Sequence, residues 1–161
     1  WLPLSRGLGD VYKRQVKENS WIRGKYNATA LKLNEFINKT KEETYNWYKS
    51  DPGAFLVQYA LIQNYFGWEA FRTTFAAYEA PTGPRPSNNQ DKIDVWVREL
   101  SKAVGRNLLP YYDLWRMPVS DRAVAEINAL GLPLWLPANN DFAISHINQA
   151  YLNQIRSRYN L

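Results

Sequence analysis

Cysteine is absent from this 161-residue sequence, and histidine and methionine each occur once. Without cysteine there can be no disulfide, no thiol nucleophile and no thiolate metal ligand. With His146 as its only histidine, the chain cannot contain an HExxH zinc helix. A Ser-His-Asp arrangement would have to be built on that one side chain. A lone histidine flanked by Ser145 and Ile147 falls short of the three ligands that zinc hydrolysis needs, so it reads as a surface or packing residue. No GxxxxGK[ST] or GxGxxG run is present to cradle a phosphate. No apolar stretch approaches the ~20 residues of a membrane-spanning helix, so no membrane span is expected. No segment alternates as a strand would, and no period repeats. The first residues also lack the basic stretch and apolar run of a secretory signal.

The formal charge is +5. Arg6, Lys13 and Arg14 against Asp10 at one end, with Arg156 and Arg158 at the other, account for most of it. Between them both signs are interspersed, so no basic groove forms and no nucleic-acid partner is expected. Carboxylates occur in pairs, Asp91 with Asp94 and Glu42 with Glu43. Each pair sits near lysines and reads as solvated surface charge rather than as an acid/base couple.

Seven tryptophans and eleven tyrosines are placed at helical spacing, in a chain long enough to bury one real core. Residues 1–15 (WLPLSRGLGDVYKRQ) have no helical period and resemble translated sequencing-adapter DNA from a metagenomic assembly. They are read as a non-native leader, with the gene cut just before Val16. Asn27 can cap a helix running to about Lys39 on Ala30, Leu31, Leu33, Phe36 and Ile37. Asn27-Ala28-Thr29 and Asn38-Lys39-Thr40 match the short N-glycosylation acceptor pattern. Lys41 to Ser50 reads as a connection or short helix packing Tyr45, Trp47 and Tyr48.

Asp51-Pro52 is a helix start, an aspartate cap followed by proline where its missing N–H costs nothing. Phe55, Leu56, Tyr59, Ile62, Gln63 and Phe66 follow at helical steps. After Gly67, the rings of Trp68, Phe71, Phe75 and Tyr78 share one face of the next helix, expected to be core. PTGPRP (81–86) is a loop, and Ser87 to Gln90 has capping-box spacing. Ile93, Trp96, Val97, Leu100 and Val104 form the next apolar face, closed by Gly105 and Asn107 in left-handed or turn geometry. A short helix with Pro110 in its first turn points Leu108, Leu109, Tyr112 and Trp115 inward and ends at Pro118. Ser120 caps a helix with Val124, Ile127 and Leu130 inward, and Gly131 ends it. LPLWLP (132–137) should run extended back onto the bundle. After a turn at Asn139 to Asp141, residues 143–158 form a last amphipathic helix on Ile144, Ile147, Tyr151, Leu152 and Ile155. The class is all-α, an irregular bundle of about six or seven helices.

Two blocks carry a resemblance. Asp51 to Tyr78 is similar to the "L..Y..L...FGW..F...F..Y" helix pair of the enhancin-like, mucin-degrading zinc metallopeptidases, a gluzincin group, here with Phe66, Gly67, Trp68 and Phe71 in place. Lys92 to Ser120 resembles their "K.D.W....S...G.NL.PF...W..PVS", with Trp96, Gly105, Asn107, Leu108, Trp115, Pro118 and Ser120 matching and Tyr111-Tyr112 at the aromatic pair. The resemblance implies that residues 16–137 are the C-terminal helical subdomain of a gluzincin-type catalytic domain. Residues 138–161 would lead into a linker or next module. It implies a secreted or surface enzyme of a bacterium that hydrolyses glycoproteins such as mucins by zinc-activated water.

In that family the HExxH and the glutamate ligand precede these helices. Here they are missing, and the surroundings of Glu18 do not match the ligand motif. The chain by itself is therefore expected to hold no zinc and no catalytic residue, with the upstream half of the domain as its partner. A non-catalytic helical binding domain of the same family is the alternative.

Overall fold

The computed structural model describes residues 20–161. Residues 1–15, Val16 and Glu18 lie outside that range. Over the described residues there are eight helices and no strand: α1 (Ser20–Asn34), α2 (Lys41–Ser50), α3 (Pro52–Phe66), α4 (Glu69–Glu79), α5 (Asn89–Val104), α6 (Leu109–Leu114), α7 (Asp121–Ala129) and α8 (Gln149–Tyr159).

The starts are set by short polar side chains that take up free backbone N–H groups. Thr40 and Glu43 form a reciprocal capping box at α2: Glu43 N–H donates to Thr40 Oγ1 (3.1 Å), and Thr40 N–H donates to the Glu43 carboxylate (2.8 Å). Asp51 caps α3, as expected, by accepting from Ala54 N–H. It also takes the Lys25 ammonium at 2.9 Å, which ties α1 to this junction. At α5 the cap is Asn88, one residue later than the capping-box spacing suggests. Asn88 accepts from Asp91 N–H, while the Ser87 hydroxyl donates to the Asp91 carboxylate. Ser120 caps α7 and Asn148 caps α8.

The bounds of the first and last helices differ from the sequence expectation. Asn27 lies in the middle of α1 rather than capping it, with Thr29 buried two residues on. That helix ends at Asn34 because the next bonds, Glu35 N–H to Lys32 O and Phe36 N–H to Leu33 O, tighten to three-residue turns. The last helix begins only at Gln149. Before it, Ile144 and Ser145 N–H both donate to the Asp141 carbonyl, which winds residues 141–147 into turns.

At the centre sits α6. Every residue from Leu108 to Trp115 is buried. A six-residue helix buried at both ends must have its terminal groups satisfied by other parts of the protein, and it does. At its start, Leu108 N–H donates to Ser101 Oγ (3.2 Å) and Leu109 N–H to Asn107 Oδ1 (3.0 Å). At its end, the Tyr151 hydroxyl from α8 donates to the Asp113 and Leu114 carbonyls, and the Tyr48 hydroxyl from α2 donates to the Trp115 carbonyl. The Tyr111 hydroxyl in turn donates to Gln58 O of α3 at 2.6 Å.

The helix ends at Leu114 with Trp115 as its cap, before Pro118 is reached. Arg116 has φ 59, and Met117 N–H reaches back to Tyr112 O, a left-handed close normally given to glycine. The Arg116 side chain holds the conformation by donating to Thr44 Oγ1 and the Lys39 carbonyl at the start of α2.

Residues 132–137 run extended, as expected. Asn107 and Leu134 form an isolated parallel bridge through Asn107 N–H to Pro133 O and Trp135 N–H to Asn107 O. Asn107 is thus no left-handed closer. It is a buried junction whose amide also donates to Asn128 of α7. Trp135 then packs edge-on against Tyr65 and Phe66.

Candidate functional site

The largest departure from the sequence expectation is the aromatic stripe of α4, which is not core. Gly67 (φ 76) turns the chain between α3 and α4, and the inner side of α4 is then taken by small residues. Ala70 and Thr74 are buried, with the Thr74 hydroxyl donating to Ala70 O (2.7 Å). Close packing on α5 through these small side chains leaves Trp68 and Phe75 outside, 53% and 54% exposed. Phe71 alone of the stripe is buried; Tyr78 is half-buried.

On α3 the expected set is split, with Ile62 and Gln63 buried and Leu56 and Tyr59 exposed. Ala54, Val57 and Leu61 also face inward. Leu31 on α1 and Leu130 after α7 are likewise exposed rather than inward.

These rings form one continuous surface. Trp96 of α5 is its half-buried centre, with ring centroids 5.4 Å from Tyr59, 6.0 Å from Phe75 and 6.3 Å from Phe71. Trp68 lies 6.0 Å from Phe71 and extends the patch along α4. The Trp96 indole N–H donates to the buried Tyr112 hydroxyl at 3.0 Å, so the central ring is fixed from beneath. Burial, then the neighbouring Tyr45, raises the pKa of the Tyr59 phenol, which therefore stays protonated as a hydrogen-bond donor. At the rim, Glu69 and Arg72 neutralise one another. The face offers apolar and π surface but holds no acid, base or nucleophile. Such contiguous exposure marks an interaction surface.

The remaining motif residues are structural. Phe66 packs on Trp135, Gly105 closes α5 at φ 66, and Leu108 and Trp115 are fully buried. The Pro118 carbonyl accepts from the Gln90 amide, and Ser120 caps α7.

The carboxylate pairs are only partly the surface charge expected of them. Asp94 is buried, at 3% exposure, and accepts from Ser120 N–H (3.0 Å), Ser120 Oγ (2.6 Å) and Gln90 Nε2 (2.9 Å). Its partner Asp91 is bound by Ser87 and Arg122. Glu43 is exposed and spent on the capping box.

Asp113, unremarked in the sequence, is a second buried carboxylate, held by Lys41, Arg158 and Tyr159. Its signal was available: it is the one charged residue in the apolar run from Leu108 to Trp115.

His146 lies exposed on the turn before α8, its ring 3.3 Å from Ser145 Oγ. Among the described residues no three His, Asp or Glu side chains converge as metal ligands. The donor set here does not fit a zinc centre. No helix of the described residues is long and apolar enough to cross a membrane.

The family described as "Peptidase M60, enhancin and enhancin-like" matches residues 5–116, a stretch that holds α1 to α6 and every ring of the aromatic face. Among curated proteins, the chain is similar to TRPM8 channel-associated factor 3 of Rattus norvegicus, 44% identical over 80 residues. That alignment covers 50% of this chain and 8% of the relative. TRPM8 channel-associated factor 2 of Homo sapiens is 35% identical over 80 residues, with the same shares covered. The chain thus spans a small part of the length of the curated relatives it matches. No solved structure matches it significantly. With the fold all-helical and both motif blocks in place, the chain belongs to the Peptidase M60, enhancin and enhancin-like family.

Proposed function

We propose that this chain is the helical part of an enhancin-like zinc metallopeptidase domain and that its aromatic face seats the part of the domain carrying the metal. The observation that supports this reading is the joint exposure of Tyr59, Trp68 and Phe75 within the family-matched stretch. Large rings fixed on rigid helices and left open to water are surface that another polypeptide surface covers. The resemblance to the family implies that its HExxH and glutamate ligand come from sequence preceding these helices. This chain's own part is mechanical: a wall of the cleft, held rigid by the buried α6. Glycoproteins such as mucins, met outside a bacterial cell, are the substrates that go with this reading.

The test is a longer protein that includes the upstream sequence. It should hold stoichiometric zinc, cleave mucin, and protect Trp68 from acrylamide quenching relative to the 161-residue chain, judged by difference with Trp68→Phe. Equal quenching in the two proteins, or upstream sequence without an HExxH, would overturn it.

A second reading, binding without catalysis, is favoured by the curated relatives, whose names describe association with a channel. An upstream histidine motif that has lost its ligands, on a protein that still protects Trp68, would select this reading.

A further inference from the structure

A cavity of about 230 Å³ opens between α1 and the turn leading to α8, well away in sequence from the aromatic face. Arg23 and Asn27, one helical turn apart on α1, form one wall, and Ser145 and His146 form the other. Phe142 completes the lining, its ring set edge-on against buried Tyr26 at 5.3 Å. The two walls are pinned together: Asn34 Nδ2 donates to His146 O (3.0 Å), and Asn148 N–H donates to Asn34 Oδ1 (2.8 Å).

Each of the four polar side chains lining the cavity carries a hydrogen-bond donor, and none is acidic. Arg23 makes no ion pair among the described residues. Asp141, the one acid of the turn, is engaged elsewhere, accepting from the Tyr65 hydroxyl and from Ala143 N–H.

We propose that this cavity binds a small oxyanion, a carboxylate or phosphate group, with Arg23 supplying the charge and Asn27, Ser145 and His146 the further donors. A planar guanidinium beside neutral donors is suited to oxyanions. The proposal does not rest on the peptidase reading and stands or falls separately.

His146 is the only histidine, so its ring protons give an unobstructed NMR signal from the cavity. Titrating the 161-residue chain with inorganic phosphate, and separately with acetate, at constant ionic strength should move that signal saturably. The arm with the tighter midpoint identifies the anion. Arg23→Gln, on an exposed helix position, should weaken the response by about tenfold or more, with the circular dichroism spectrum unchanged. A linear drift matching a chloride control, or a midpoint unaltered by Arg23→Gln, would overturn the proposal.

Discussion

Asp94 and Ser120 bond to each other twice, carboxylate to hydroxyl at 2.6 Å and carboxylate to backbone N–H at 3.0 Å. They stand near the two ends of the second motif block, so the block closes on itself. Its first helix ends up fastened to the start of α7.

Replacing Asp94 by Ala takes the charged acceptor from the Ser120 N–H and hydroxyl at the half-buried start of α7, while the exposed Gln90 amide keeps the Pro118 carbonyl. The expected cost is about 1–3 kcal/mol, since two hydrogen bonds to a buried carboxylate are lost at once. Asp91→Ala removes a more open carboxylate paired with an exposed Arg122 and should cost clearly less. Urea midpoints for the two variants measure the difference. Equal losses would mean that Asp94 is not the fastening.

Trp68 and Trp115 should respond in opposite ways. Trp115→Ala opens a hole in the centre of the core and should cost roughly 3–5 kcal/mol. Trp68→Ser, and likewise Phe75→Ser, should stay within about 0.5 kcal/mol while reducing self-association and dye binding of the isolated chain. Sedimentation and dye fluorescence check the second half. A large destabilisation by Trp68→Ser would return the stripe to the core.

Acid should loosen the junction of α2, α6 and α8 through Asp113. Burial by itself raises a carboxyl pKa, but the hydrogen bond and charge of Lys41, joined by Arg158, outweigh it and hold Asp113 below the usual carboxylate range. A lowered folded-state pKa contributes stability that is present above the unfolded value of about 3.9 and is lost as pH falls through the folded one. Asp113→Asn should therefore lower the urea midpoint at neutral pH and show a smaller further drop at about pH 3 than the parent. Parallel pH profiles would refute this role.

Alkali should act through the buried tyrosines of α6 and its C-terminal cap. Burial pushes Tyr151 up to about 12, against the opposing pull of Arg116, and raises Tyr48 and Tyr111 well above their ordinary value. Groups raised in the folded state contribute stability that is intact below about 10 and lost as pH climbs through the folded value. Phenolate absorbance should rise in two stages, exposed tyrosines first. The second should coincide with loss of the helical circular dichroism signal. A single smooth phase in a folded chain would contradict this.

What the sequence made legible was local. The Asp51-Pro52 start, the Ser120 cap, Gly105 and Gly131 each act within a turn or two, and residue type alone decides them. The inward face of α3 was not legible because Phe55, Leu56, Val57, Tyr59, Ala60, Leu61 and Ile62 make the helix apolar nearly all round. Period then cannot choose a side, and helix α1 chose the side with Ala54 and Val57. On α4 the rings outweighed Ala70 and Thr74 in the reading, whereas close helix contact favours the small residues. Asp94 looked like surface charge, and Asp113 drew no notice, because their partners Ser120, Lys41 and Arg158 lie far along the chain.

The buried octet from Leu108 to Trp115 has a consequence for how this family is compared. Side chains enclosed on every side, with their backbone ends bonded to tyrosines from two other helices, leave almost no substitution free of cost. Such a segment would persist among relatives whether they cut, bind or do neither. An observer ranking positions by invariance would stop there and mistake scaffold for purpose. The informative positions are the outward rings at 59, 68 and 75, where a change of partner can be accepted without unfolding the chain.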